Sequence, residues 1–117
     1  MPEIERVQPA ALPSTGGGFT HVVRIGPWVF ISGQTAGGMD GAVVGGDDAL
    51  AQGRHVFQRL GLAMESVGGT FADIVKTTTF ITNASDFEKV RQARAEAINN
   101  TPPTSASITI SHLARPG

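Results

Sequence analysis

Two runs of β-branched and aromatic residues, His21-Val22-Val23-Arg24-Ile25 and Trp28-Val29-Phe30-Ile31-Ser32, flank Gly26-Pro27. Strand-forming runs around a Gly-Pro turn predict a hairpin. Gly33 to Gly46 is glycine-rich loop, with Ala42-Val43-Val44 a candidate short strand. The period then changes. From about Asp48 to Val67 the positions Leu50, Gly53, Phe57, Leu60, Met64 and Val67 recur every three or four residues, which predicts an amphipathic helix. Asp47 or Asp48 can cap its first amides, and Gly68-Gly69 can end it in a left-handed turn. The stretch Phe71 to Thr82 is β-branched and predicts a strand. Ser85-Asp86-Phe87-Glu88 fits a capping box, with Ser85 as the cap, and opens a second helix to about Ile98. Phe87, Val90, Ala93, Ala97 and Ile98 are its inward set. Ser105 to Ser111 alternates again. Ala106, Ile108 and Ile110 share one face; Ser105, Ser107, Thr109 and Ser111 share the other.

The order β-β-α-β-α-β predicts an α+β domain over residues 19–117. Residues 1–18 carry three prolines and Gly16-Gly17-Gly18, and read as a mobile or edge-lying lead-in. Trp28 and Phe30 point to one side of their strand, Val29 and Ile31 to the other, and Phe80 and Ile81 divide in the same way. Such strands need apolar cover on both faces. Two helices cover one face of a sheet, so a second copy of the chain is expected to cover the other.

Composition narrows the chemistry. The 117 residues suit one domain. There is no cysteine, which excludes disulfides and thiolate catalysis. Nine basic and ten acidic residues give a net charge of -1, which argues against nucleic acid as a partner. No apolar run approaches the roughly 20 residues of a membrane span. The start, Met1-Pro2-Glu3-Ile4-Glu5-Arg6, lacks a signal-peptide layout, so a cytoplasmic protein is expected. His21, His55 and His112 have no ligand spacing, and no metal site is expected. The glycine pairs lack a phosphate-loop context and read as turns. Asp73 and Asp86 read as turn and cap residues. Arg54 and Arg59 on the first helix, with Arg91 and Arg94 on the second, read as solvated faces. Lys76 sits in a strand of apolar residues and threonines, and either lines a cleft or reaches out to solvent.

Three segments, taken in order, resemble the Rid family, also called RidA or YjgF/YER057c/UK114. They are Trp28-Val29-Phe30-Ile31-Ser32-Gly33-Gln34, then Phe71 to Phe80 followed by Asp86-Phe87, and then Pro103 to Leu113. The resemblance spans about residues 19 to 117. It implies a chorismate-mutase-like fold, a mixed β-sheet with two helices on one face, assembled as a homotrimer. It implies small-molecule clefts between subunits and no cofactor. It also implies hydrolysis of reactive enamines and imines, such as 2-aminoacrylate and 2-iminopropanoate, to 2-oxo acids and ammonia.

The resemblance also assigns positions. The family's carboxylate-gripping arginine falls on Ser105, counting back from Leu113 without a gap, and a neighbouring cysteine falls on Ser107. A tyrosine position falls on Phe19, and an asparagine position in the second helix falls on Arg91. The Ser-Gly pair at the strand end is kept as Ser32-Gly33. The family's last strand lies beyond Gly117. The expected site is therefore Ser32, Gly33, Ser105 and Ser107 for the chemistry, with Phe19, Arg91 and Ser105 holding substrate. Two arrangements can stand in for the missing strand arginine: Arg91 reaching the cleft from the helix side, or a less anionic ligand held by Ser32, the Gly33 amide, Ser105 and Ser107. The alternative is a non-catalytic trimer that binds a small molecule as a sensor or metabolic accessory. A ribonuclease or translation-inhibitor role, described for some relatives, fits poorly with the neutral charge and single tryptophan.

Overall fold

The computed structural model describes residues 1–114. The strand expected beyond Gly117 lies outside them. Seven elements follow in the order β1 (Ile4–Val7), β2 (Val22–Ile25), β3 (Trp28–Ile31), α1 (Ala49–Glu65), β4 (Lys76–Ile81), α2 (Phe87–Ala97) and β5 (Thr104–Thr109). Both strand senses of the expected mixed sheet are present. Hydrogen bonding sorts the described strands into an antiparallel sheet β1-β2-β3 and a parallel pair β4-β5.

The hairpin forms where the pattern placed it. Trp28 pairs with Ile25, and Gly26 makes the turn at φ 56, a conformation that costs glycine little. The lead-in contributes β1, whose Ile4 and Val7 pair with Ile25 and Val22. Ala42-Val43-Val44 forms only one bridge, from Val43 to Gly37.

Helix α1 starts at Asp48, whose carboxylate accepts from the Leu50 and Ala51 amides at 3.0 and 3.4 Å. It ends as Gly68 turns left-handed at φ 77 and the Gly69 amide returns to the Met64 carbonyl at 2.9 Å. Two expected boundaries move. The strand expected from Phe71 begins only at Lys76, because Phe71–Asp73 forms a 3-10 turn. Asp73 fixes that turn by accepting from the Thr70 amide at 2.8 Å. The second helix is opened by Asn83 rather than by a Ser85–Glu88 box. Asn83 Oδ1 accepts from the Ser85 amide at 3.0 Å, and a 3-10 turn over Ala84–Asp86 leads into α2. Asp86 makes no side-chain cap bond there. Asparagine two residues upstream offers the same oxygen chemistry as serine, and the shorter turn uses it first.

Two clusters hold the layers together. Leu12, Val22 and Ala63 join the lead-in, the hairpin and α1, with Val29, Ile31 and Leu62 around them. Phe57, Ala93 and Ile98 join α1 to α2, with Leu60, Phe71 and Ile74 around them. The helices approach closely where a Cβ on Gly53 would stand 2.8 Å from that of Ala93. On their rim, Arg54 grips Glu96 with two bonds of 2.8 Å.

That grip, with help from Gln92, holds the Glu96 carboxyl at about 2, below its ordinary 4.5. A depressed carboxyl stabilises the fold above its ordinary value and loses that contribution as pH falls toward the folded value. The pair is exposed, so its weight in stability is small. Carbon-detected NMR titration should place the Glu96 midpoint well below the ordinary glutamate value of 4.5. Arg54→Ala should return it to the ordinary range, and an unchanged midpoint would contradict the pairing.

The expected alternation of burial is present in β3 and β4, whereas β5, expected to alternate, is exposed along its whole length in the single chain because nothing among the described residues covers either of its faces. Val29 and Ile31 are half-buried while Trp28 and Phe30 are 62% and 61% exposed. Ile81 is buried while Phe80 is 53% exposed. Its register partner Ile108 is also exposed. Each sheet therefore leaves large apolar side chains uncovered on one side.

Candidate functional site

The parallel pair β4-β5 requires a crossover, and α2 supplies it. The crossover brings α2 alongside the start of β5. A cavity of about 600 Å³ lies between them, and its lining includes Arg91, Arg94, Lys89, Glu88, Pro103 and Ser105. Arg91 on α2 and Ser105 on β5, assigned together by the resemblance, thus both line this cavity. Ser107 follows two residues on, on the same side of the strand by alternation, and is exposed.

The structure also assigns a residue that the sequence reading passed over. Arg94, read as part of a solvated face, is half-buried, and its Nη1 donates to Ser105 Oγ at 2.7 Å. Arg91 is more exposed and stands 3.5 Å from Glu88, one turn back. Arg94 makes no ion pair among the described residues. The signal was available: Arg94 lies three residues beyond Arg91, which puts both on one helix face. Nearby, the Thr77 hydroxyl is buried without a hydrogen-bond partner. Thr77 is the register neighbour of Ser105 across β4-β5.

The other expected site residues lie at the end of the hairpin. Ser32 Oγ donates to the Thr20 carbonyl at 2.6 Å, which commits its proton and leaves the oxygen as an acceptor. Gly33 follows it, exposed. Phe19 is 52% exposed and meets the His21 ring edge-on at 5.8 Å. Its carbonyl is held by Gln8 and Thr15, each at 2.8 Å. Neither the α2-β5 cavity nor a second hollow of about 420 Å³ under the lead-in is lined by residues of both groups.

Behind Ser32-Gly33 the loop is locked by a second residue misread as solvated. Arg59 is buried at 8% exposure. Its Nε donates to Gln34 Oε1 at 3.0 Å, and its Nη1 donates to the Thr35 and Gly37 carbonyls at 3.1 and 2.9 Å. Burial lowers its pKa from the usual arginine value. The loop carbonyls turn inward here and need a donor. An arginine reaching from α1 satisfies three acceptors at once, which a helical-wheel reading of charge does not reveal. Gln34 also donates toward His21 Nδ1 at 3.2 Å, and His21 Nε2 pairs with the Pro13 carbonyl at 2.7 Å. The hairpin end, the lead-in and α1 are thereby one polar network.

The architecture is that of a small α+β domain with a polar, cation-rich cleft beside its crossover helix. Residues 9–117 match the sequence model of the family described as Endoribonuclease L-PSP. The chain belongs to this family, the Rid or YjgF family. Protein DfrA of Myxococcus xanthus is 30% identical over 108 residues, which are 88% of this chain and 80% of DfrA. A YjgF/YER057c/UK114 family member from Mycobacterium tuberculosis superposes with a TM-score of 0.81 at 28% identity, covering 97% of this chain and 90% of that one. RidA from an Antarctic Psychrobacter superposes with a TM-score of 0.87 at 25% identity, covering 95% and 89%.

Proposed function

We propose that this chain is a cleft protein of the Rid type that hydrolyses a small enamine or imine carrying a carboxylate. The observation that supports it best is the α2-β5 cavity, where three cations, Lys89, Arg91 and Arg94, face one acid, Glu88, beside the Ser105 hydroxyl. Cations hold the substrate carboxylate. Water adds to the imine carbon, and collapse of the carbinolamine breaks the carbon–nitrogen bond, releasing ammonia and a 2-oxo acid. In this reading the hydroxyls of Ser105 and Ser107 steady the charge that develops. No metal or organic cofactor enters this chemistry.

The reading includes a cytoplasmic homotrimer. A neighbouring copy brings its Phe19 and Ser32-Gly33 to this cleft, since one protomer keeps the two groups apart. The uncovered apolar side chains Trp28, Phe30, Phe80 and Ile108 support such an assembly. Among the described residues no helix is long and apolar enough to cross a membrane.

A coupled assay tests the reaction. An amino-acid oxidase acting on alanine generates 2-iminopropanoate, and semicarbazide traps it. Added protein should cut adduct formation in proportion to its concentration. Undiminished adduct in the presence of folded, assembled protein would sink the hydrolase reading. That outcome would favour the binding-only trimer, a reading supported by the serine at 105 and by the committed proton of Ser32.

A further inference from the structure

We infer that Arg94, rather than Arg91, is the residue that grips the anionic end of the ligand, and that the ligand is a small carboxylate held between α2 and β5. This rests on the cleft proposed above but not on the reaction assigned to it. Four observations converge. Arg94 lines the cavity and is half-buried, so its charge is less screened than that of an exposed arginine. It has no carboxylate partner among the described residues, whereas Arg91 has Glu88 and Arg54 has Glu96. Its Nη1 is fixed by Ser105 Oγ at 2.7 Å, so the guanidinium is oriented before any ligand arrives. Only that one of its nitrogens makes a side-chain hydrogen bond among the described residues, which leaves donors for a carboxylate. A planar fork with one prong anchored matches the two oxygens of a carboxylate. Ser105 thus becomes a positioning residue: the serine that replaces a strand arginine holds a helix arginine instead.

The test uses pyruvate as the probe, with the full chain observed by amide and arginine side-chain NMR. Pyruvate should shift the signals of Arg94 and Ser105. Arg94→Gln should weaken binding about 10- to 100-fold, the range for loss of a charge-assisted pair. Arg94→Lys keeps the charge without the fork and should recover part of that loss. Arg54→Gln removes an equal charge outside the cavity and should bind like the parent. Equal pyruvate affinity in Arg94→Gln and the parent overturns the assignment. So does loss of binding confined to Arg91→Gln, or a parent protein that pyruvate does not perturb. If Arg94→Gln fails to fold, Arg94→Lys carries the test: a several-fold weakening supports the grip, and parental affinity overturns it. Arg94-dependent binding without deamination would sink only the hydrolase reading; deamination unaffected by Arg94→Gln would sink only this one. Inorganic phosphate is the second arm. Tighter Arg94-dependent binding of phosphate than of pyruvate overturns the carboxylate class.

Discussion

Arg59→Ala is expected to destabilise the fold by about 3 kcal/mol, read as a lowered urea midpoint with an unchanged slope. The substitution removes three hydrogen bonds from a charged donor. Gln34 Oε1 and the Thr35 carbonyl lose their Arg59 partner, while the Gly37 carbonyl keeps His55 at 2.9 Å. Each stranded acceptor costs on the order of 1–3 kcal/mol. Removing a buried charge returns part of its desolvation cost, which holds the net below the sum. Arg59→Met keeps most of the volume but none of the donors, and should lose about 2 kcal/mol. A loss under about 0.5 kcal/mol in both variants, the range of ordinary surface substitutions, would show that the buried network carries no weight. The damage should be local as well as global. The loop Gln34 to Gly37 continues directly from Ser32-Gly33, so amide exchange there should quicken more than in α2.

The sequence made the periodic parts of this fold legible, and for a physical reason. A long helix repeats its apolar stripe often enough to be read, and α1 begins at Asp48 and closes at Gly68 as its caps require. The hairpin is local and its turn residue is glycine, so pattern and structure agree. What escaped depends on distant partners. Strand β1 is four residues long, and its pairing with β2 spans the Pro-rich segment between them. Nothing within Ile4–Val7 announces that partner. The Asn83 cap was hidden because several polar residues nearby can each cap a helix, and only the backbone path decides among them.

The candidate site was half legible. Family resemblance placed Ser105 and Arg91, and both line one cavity. The two misread arginines show the limit. Arg59 and Arg94 are charged residues on amphipathic helices like Arg54 and Arg91, yet one is buried and the other bonded to a strand hydroxyl. Which arginine on a helix meets a strand depends on how the crossover docks, and that is set by tertiary packing at Gly53, Ala93 and Ile98. Spacing alone cannot distinguish a helix face turned to water from one turned to a cleft.

Phe80→Glu should convert the proposed trimer to folded monomers, as read by sedimentation velocity. Phe80 is 53% exposed in the protomer and stands opposite Ile108 on the open side of the parallel pair. Covering its exposed half in a trimer is worth about 1 kcal/mol per copy. A carboxylate in the same place adds a desolvation penalty of several kcal/mol per copy. Over the three copies of the proposed trimer, the combined loss exceeds about 6 kcal/mol, or roughly 10⁴-fold in the association equilibrium. Phe80→Leu keeps the apolar character and should stay assembled. The side chain points away from the core clusters, so circular dichroism should show both variants folded. The α2-β5 cavity should survive in the monomer, whereas any step that needs a neighbour's Ser32-Gly33 should vanish. Pyruvate binding at Arg94 that persists while deamination is lost would separate the two halves of the site. A parent chain that sediments as a monomer, or a Phe80→Glu variant that remains trimeric, would rule out this face as the interface.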